Sequence, residues 1–156
     1  MIKRAIPERR SECPISFGLD IFGDKWSLLI LRDMLLFGRV RFSDFAVHEG
    51  IATNVLADRL ARLEASGIIT KKRDAVLKNQ NVYSITIKGY DLTEVLIGMM
   101  LWGMKYDERT PVDKRYIKRI RDDLGTVTDE VRNAIRSNTF ESYRAKEMGV
   151  DAGLYE

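Results

Sequence analysis

The stretch RFSDFAVHEGIATNVLADRLARLEASG, residues 41–67, decides the fold. Phe42 and Phe45 stand three apart and share one side of a short helix, which either Arg41 or Ser43 would cap. Glu49-Gly50-Ile51 reads as a turn with a buried isoleucine. Thr53 then opens a helix that ends at Gly67. Its inward stripe is Leu56, Leu60 and Leu63, spaced i, i+4 and i+7. Two short helices joined by a glycine-containing turn are the pattern of a helix-turn-helix.

Toward the N-terminus, Pro14 suits the first position of a helix running to Phe22, with Gly23 as a left-handed cap. Asp24 is placed to N-cap a second helix, Lys25 to Leu36, ended by Gly38. Trp26, Leu28, Leu29, Ile30, Leu31, Met34 and Leu35 make that helix apolar nearly all round, as a central pillar would be. Toward the C-terminus, Ile68-Ile69-Thr70 and Val82 to Ile87 are β-branched and aromatic. The intervening Lys71 to Asn81 is rich in Lys, Arg, Asn and Gln. This predicts a β-hairpin with a polar, cationic tip, and a helix-turn-helix followed by such a hairpin is a winged helix.

Residues 88–106 are expected to form one long helix. Leu92, Val95, Leu96, Met99, Gly103 and Tyr106 recur at helical spacing, while Ile97, Met100, Leu101 and Trp102 widen the apolar arc. So small a domain has no means of covering both faces, so the surplus predicts self-association. Thr110-Pro111 reads as a hinge. A helix from Asp113 to Leu124 carries Tyr116, Ile117 and Ile120 and is broken by Gly125. Thr128 would cap a last helix with Val131, Ala134 and Ile135, and the pattern weakens from Ser137. The fold class is mainly α with a small β-hairpin: an arm over 1–12, a winged helix-turn-helix domain with its dimerisation helix over 13–106, and a helical extension over 107–156.

With 156 residues, 45% of them apolar, the chain can bury a real core. No apolar run approaches the roughly 18 residues of a membrane span. The charged first ten residues lead into no signal-peptide core, so the expected compartment is the cytoplasm. The net charge of +3 is compatible with nucleic acid without arguing for it. One cysteine, Cys13, excludes an intrachain disulfide, and with one histidine, His48, leaves no material for a zinc site. No cofactor is implied. No glycine-rich phosphate loop or nucleophile–base pairing is present, so catalysis is not expected.

An α-helix fits the major groove, and side chains near its N-terminus reach base edges. The leucine stripe sets Asn54 and Asp58 on the opposite side, with Thr53 and Ala57 flanking the leading end. Asn54 is the candidate base reader, since an amide pairs with adenine through two hydrogen bonds. Thr53 instead caps the helix and bonds a phosphate. Asp58 repels phosphate or reads cytosine. Arg59 and Arg62, further along, touch backbone or make ion pairs. Phosphate contacts would come from Arg39, Arg41 and Ser43 at the third helix and from Lys71, Lys72, Arg73 and Lys78 in the hairpin. For each cation the plain alternative is a solvated surface charge. A winged helix used for protein contacts rather than DNA is the rival function.

Cys13-Pro14, Asp20 to Leu31, Arg41 to Phe45, Ile51, Leu56, Leu60 to Glu64, Gly67-Ile68 and Tyr83 to Thr86 with Gly89 together resemble the HxlR-type winged helix-turn-helix regulators of the MarR-like superfamily. The resemblance covers residues 13–106. It implies a homodimer held by the first and last helices of the domain and two recognition helices in successive major grooves of a palindrome. It also implies transcriptional control, with reading by Thr53, Asn54 and the wing around Lys78. Related wings often carry prolines, whereas 74–80 has none. The chain also runs some 50 residues further, where Lys114, Arg115, Lys118, Arg119 and Arg121 either meet DNA or an acidic partner face, or form the solvated side of an amphipathic helix.

Some members of that family sense oxidants through an N-terminal cysteine. Cys13 stands in the matching position, where a helix N-terminus and nearby Arg9 and Arg10 would favour the thiolate. The alternative is a small side chain that packs the dimer and never reacts. Met99, Met100 and Trp102 would line either a small-molecule effector pocket or ordinary dimer core. His48 is a helix-dipole partner or a surface residue.

Overall fold

The structure, a computed structural model, describes residues 11–46 and 50–150; Arg9, Arg10, His48 and Glu49 lie outside them. The chain divides into two compact units, one ending at Asp91 and one starting at Leu92.

The first unit begins with α1, Pro14–Phe22, and α2, Ser27–Phe37. Gly23 closes α1 but is not left-handed, with φ at −75°. Its reason for being glycine is space: a Cβ there would sit 2.4 Å from the Leu19 carbonyl oxygen. α2 starts at Ser27 rather than Lys25, with Trp26 at its N-cap, and Asp24 organises the turn that leads into it. Its Oδ1 accepts the amides of Trp26 (2.9 Å) and Ser27 (3.0 Å), and its Oδ2 accepts the Ser27 hydroxyl at 2.6 Å. Gly38 ends α2 in the left-handed conformation at φ 64°.

The short α3, Phe42–Ala46, and α4, Thr53–Ala65, form the helix-turn-helix. Neither Arg41 nor Ser43 caps α3. Asp44 does so from inside the helix, its Oδ2 accepting the Arg41 amide at 2.8 Å, because an ionised carboxylate is a stronger acceptor for that amide than a hydroxyl. Leu56, Leu60 and Leu63 are buried to 1% exposure or less, and α4 packs on α1, α2 and α3 and on the hairpin's first strand.

That hairpin pairs β1, Ile69–Arg73, with β2, Asn81–Ile85, antiparallel and in the register Ile69 to Ile85 through Arg73 to Asn81. The strands extend further toward the tip than the hydrophobic pattern indicates. Polar residues in a strand exposed on one face carry no periodic signal.

The single helix expected over 88–106 is two: α5, Ile87–Tyr90, and α6, Thr93–Tyr106. The first turn is tied down before the second helix begins. Thr86 Oγ1 accepts the Gly89 amide at 3.1 Å and donates to the Gly67 carbonyl at 2.7 Å. Gly89 presses on β1's leading edge, where a Cβ would stand 2.2 Å from the Ile68 carbonyl oxygen. Gly89→Ala is therefore expected to lower stability by about 1–3 kcal/mol, the usual range for overpacking. A denaturant titration checks it, and an unchanged midpoint would show that the backbone yields freely.

In the second unit, α6 packs on α7, Lys114–Asp122, and α8, Leu124–Arg136. Gly125 does not break a helix and Thr128 does not cap one. The break falls at Asp123, whose carboxylate accepts the Thr126 amide at 3.0 Å and so starts α8. Thr128, inside α8, donates instead to the Leu124 carbonyl. Structure also continues past Ser137, as α9, Phe140–Tyr143, and a wide turn over Arg144–Met148. The Tyr143 hydroxyl donates to Glu130 at 2.9 Å and lies 3.0 Å from the Tyr116 hydroxyl, while Arg119 bridges Glu130 and Glu147. These contacts anchor the segment where hydrophobic periodicity is too sparse to reveal it. Tyr143→Phe is expected to destabilise the unit by about 1.5–3 kcal/mol, the usual range for a hydrogen bond to a charged group. Thermal denaturation tests it.

The apolar arc of α6 splits. Leu96, Ile97, Leu101 and Met104 are buried within the second unit. Leu96, grouped from the sequence with the dimer face, thus belongs to the chain's own core, because α7 and α8 cover one side of the helix. Val95, Met99, Trp102 and Tyr106 remain exposed, Trp102 at 67%. Their spacing of four, three and four residues sets them in one stripe. The Trp102 and Tyr106 rings touch, with centroids 5.4 Å apart. Leu92, Met100 and Gly103 are half-buried.

Candidate nucleic-acid interface

The leading end of α4 is exposed. With Leu56, Leu60 and Leu63 sunk in the core, Thr53, Asn54 and Ala57 stand exposed on the opposite side. Ala52 occupies the N-cap position, and no side chain caps the helix. Thr53 is therefore not a cap, and its hydroxyl remains at the helix entrance with the first-turn amides. Helix geometry there favours anions, since those amides lack intrahelical acceptors.

Arginines near this end are partly committed elsewhere. Arg59 pairs with Asp24 at 3.1 Å and Asp58 at 3.0 Å. Burial pushes the Asp24 carboxyl up, but the Ser27 hydroxyl, the Trp26 and Ser27 amides and Arg59 outweigh it and hold the group below its ordinary 3.8. A carboxylate with a lowered folded-state pKa adds stability that is present above that ordinary value and lost as pH falls through the folded-state one. Arg62 donates to the Asp20 carbonyl at 3.3 Å and so ties α4 to α1. Arg39 pairs with buried Asp33 at 3.1 Å and lies over the Phe37 ring. Arg41 pairs with Asp74 at 2.9 Å. Arg39 and Arg41, expected at phosphates, thus have partners inside the first unit, as do Arg59 and Arg62, for which an ion pair was one of the two expected roles.

The wing carries the exposed cations Lys71, Lys72, Arg73 and Lys78. Arg73 donates to the Lys78 carbonyl at 3.0 Å across the tip, and Lys71 lies 6.0 Å from the Tyr83 ring centroid. Ser43 is exposed at the start of α3.

Asp74 is the residue that sequence reasoning missed. It is 7% exposed, and its Oδ1 accepts the amides of Val76 (2.8 Å) and Leu77 (3.1 Å). Those amides, the Leu77 bond foremost, together with Arg41, hold its carboxyl below the ordinary carboxylate range. The loop is organised without proline because an aspartate at its start does the same work. That preference for Asp where a side chain bonds amides two residues on was readable in Asp74-Ala75-Val76.

Cys13 is exposed at the N-cap of α1 and makes no side-chain cap. Among the described residues no group of three potential ligands gathers for a metal, and no helix is long and apolar enough to cross a membrane.

Comparison with known proteins agrees with this architecture. The family model described as HxlR-like helix-turn-helix matches residues 21–111. The uncharacterized HTH-type transcriptional regulator YdeP of Bacillus subtilis (strain 168) is 33% identical over 112 residues, covering 71% of this chain and 85% of YdeP. The uncharacterized regulator sll1512 of Synechocystis sp. (strain ATCC 27184 / PCC 6803 / Kazusa) is 32% identical over 97 residues, covering 62% and 72%. Among solved structures, the candidate transcription factor PA1607 superposes with a TM-score of 0.61 at 31% identity, over 68% of this chain and 78% of that one. The reduced form of the regulator YodB from B. subtilis gives a TM-score of 0.50 at 25% identity, over 63% and 97%. These relatives are regulators of transcription, not enzymes.

Proposed function

Because the chain belongs to the HxlR-like helix-turn-helix family, and is thus a winged helix-turn-helix transcriptional regulator, we propose that it acts in the cytoplasm as a homodimer on a two-fold-related operator. The buried leucine stripe of α4 carries this reading, because it leaves Thr53 and Asn54 exposed at the end that enters a major groove. Wing cations Lys71, Lys72, Arg73 and Lys78 supply phosphate contacts, with Ser43 at α3. The exposed stripe Val95, Met99, Trp102 and Tyr106 joins the two copies. Residues 13–106 form the DNA-binding and dimerising part, and 107–156 a helical extension.

Selection of duplexes from a random pool by the purified protein, with sedimentation alongside, tests the reading. A palindromic consensus bound by a dimer is expected. A protein-interaction module would enrich nothing and would show little salt-dependent binding. Asn54→Ala is expected to relax preference at one base position by about 1–3 kcal/mol. Lys72→Ala should weaken binding to every sequence and flatten the salt slope by about 1. Wild-type behaviour of both variants on the selected operator would reject this docking.

The input signal is an oxidant acting on Cys13, whose exposure leaves the thiol open to reaction, or a small molecule against Met99, Met100 and Trp102. Diamide is expected to change operator affinity in wild type and not in Cys13→Ser. Equal responses would remove Cys13 from the mechanism.

A further inference from the structure

Between the wing and α3 lies an open cleft of about 310 Å³. Phe42 and Ser43 form one wall, and Asn79, Gln80, Asn81 and Tyr83 form the other. Its polar side chains are hydroxyls and amides, with no formal charge. Arg41 and Asp74 stand behind these walls and connect them. Arg41 leads into Phe42 and lies opposite Val82 in a short bridge to the hairpin. Its Nε and Nη2 both donate to Asp74 Oδ2, at 3.2 and 2.9 Å. The Asp74 amide donates to the Gln80 carbonyl at 3.0 Å, and the Tyr83 amide to the Val40 carbonyl at 2.8 Å. The ion pair therefore runs from the segment that enters α3 to the loop that forms the far wall. It also occupies Arg41, which would otherwise be offered to phosphate.

We propose that this cleft seats the sugar–phosphate backbone of one strand of bound duplex through the neutral donors Ser43, Asn79 and Gln80, and that the Arg41–Asp74 pair sets its width. The proposal rests on the DNA-binding reading above and deepens it. Hydroxyl and amide donors match phosphate and sugar oxygens, and such contacts fix register without reading sequence. They release no condensed counterions by charge replacement, so they leave the salt slope alone. Asp74 and Arg41 are positioning residues. They act by holding the loop, as a supporting shell holds a binding group.

The sign of one substitution separates this from plain electrostatics. Removing a negative charge near DNA should tighten binding if Asp74 acts only through its charge. If it positions the cleft, removal should weaken binding. Wild type, Asp74→Asn, Arg41→Gln and Asn79→Ala are titrated across salt concentrations on the operator selected by wild type, with melting curves showing that each is folded. Asn79 lies at the exposed tip, so its variant keeps the test independent of any loss of fold. All three variants are expected to bind the operator about tenfold more weakly, as loss of hydrogen bonds to a charged group implies, with the wild-type salt slope retained. A slope reduced by about 0.9 in Arg41→Gln would make Arg41 a direct phosphate contact and overturn the proposal. So would Asp74→Asn binding as well as or better than wild type, or Asn79→Ala binding as wild type does. Failure of wild type to enrich any duplex would instead overturn the DNA-binding reading itself.

Discussion

Trp102→Glu is expected to split the proposed dimer into monomers and to cost it operator binding, with the fold intact. Trp102 is 67% exposed in the single chain and sits mid-stripe between Val95, Met99 and Tyr106. A tryptophan at the centre of an interface commonly accounts for about 2–4 kcal/mol, and a buried, unpaired glutamate adds its own penalty. At micromolar concentration that moves a moderately stable dimer to monomer. The loss on DNA exceeds the loss of one contact, because two linked recognition helices gain roughly 10²–10⁴ in avidity over one. Sedimentation should therefore show half the mass, and operator affinity should fall by at least about 100-fold. Since the side chain faces outward in the chain, the melting profile of the dilute protein should change little. A variant that still sediments as a dimer would move the interface elsewhere.

The helix-turn-helix was legible because its two signals are local and strong. Leucines repeating every three or four residues define α4, and glycines in forced conformations close it, Gly67 at φ 70° and Gly50 at φ 64°. The C-terminal third was read less well for a reason of the same kind. The helix start at Asp113 was legible, but the next depends on Asp123, which bonds to the amide three residues on, whereas Gly125 and Thr128 draw attention as conventional boundary residues. Its last helical segment rests on a tyrosine–carboxylate–arginine network linking residues up to 28 apart in sequence. Periodicity cannot show such pairings.

The site divides along the same line. Exposure of Thr53 and Asn54 follows from the leucine stripe alone. Which arginines are available does not, since Arg39, Arg41, Arg59 and Arg62 all have partners that only tertiary structure supplies. Counting cations in a sequence overstates the charge offered to phosphate, because a buried carboxylate such as Asp33 or Asp74 must be paired wherever it occurs. The exposed lysines of the wing keep their expected place because a hairpin tip has little else to pair with.

Leu60→Ala is the substitution expected to cost the most stability. Leu60 is 1% exposed and lies between Leu56 and Leu63, both at 0%, on the face of α4 that packs against α2 and β1. Truncation removes three carbons from a close-packed site. The penalty is then the lost transfer free energy plus that of the cavity left behind, about 2–5 kcal/mol for buried leucine. A whole domain's stability is only about 5–15 kcal/mol, so the first unit should lose a large share of its stability. Leu60→Met keeps the volume and should cost less than about 1.5 kcal/mol, which separates packing from any other property of the position. The readouts are a denaturation midpoint and amide exchange in β1 and β2, which should accelerate by at least about 30-fold in Leu60→Ala if the loss is 2 kcal/mol or more. DNA binding should weaken with the fold in this variant, whereas Asn54→Ala, at the second residue of α4 on its exposed face, should leave the midpoint unmoved. Should Leu60→Ala melt where wild type does, the stripe would not be what orients α4, and the exposure of Thr53 and Asn54 would need another cause.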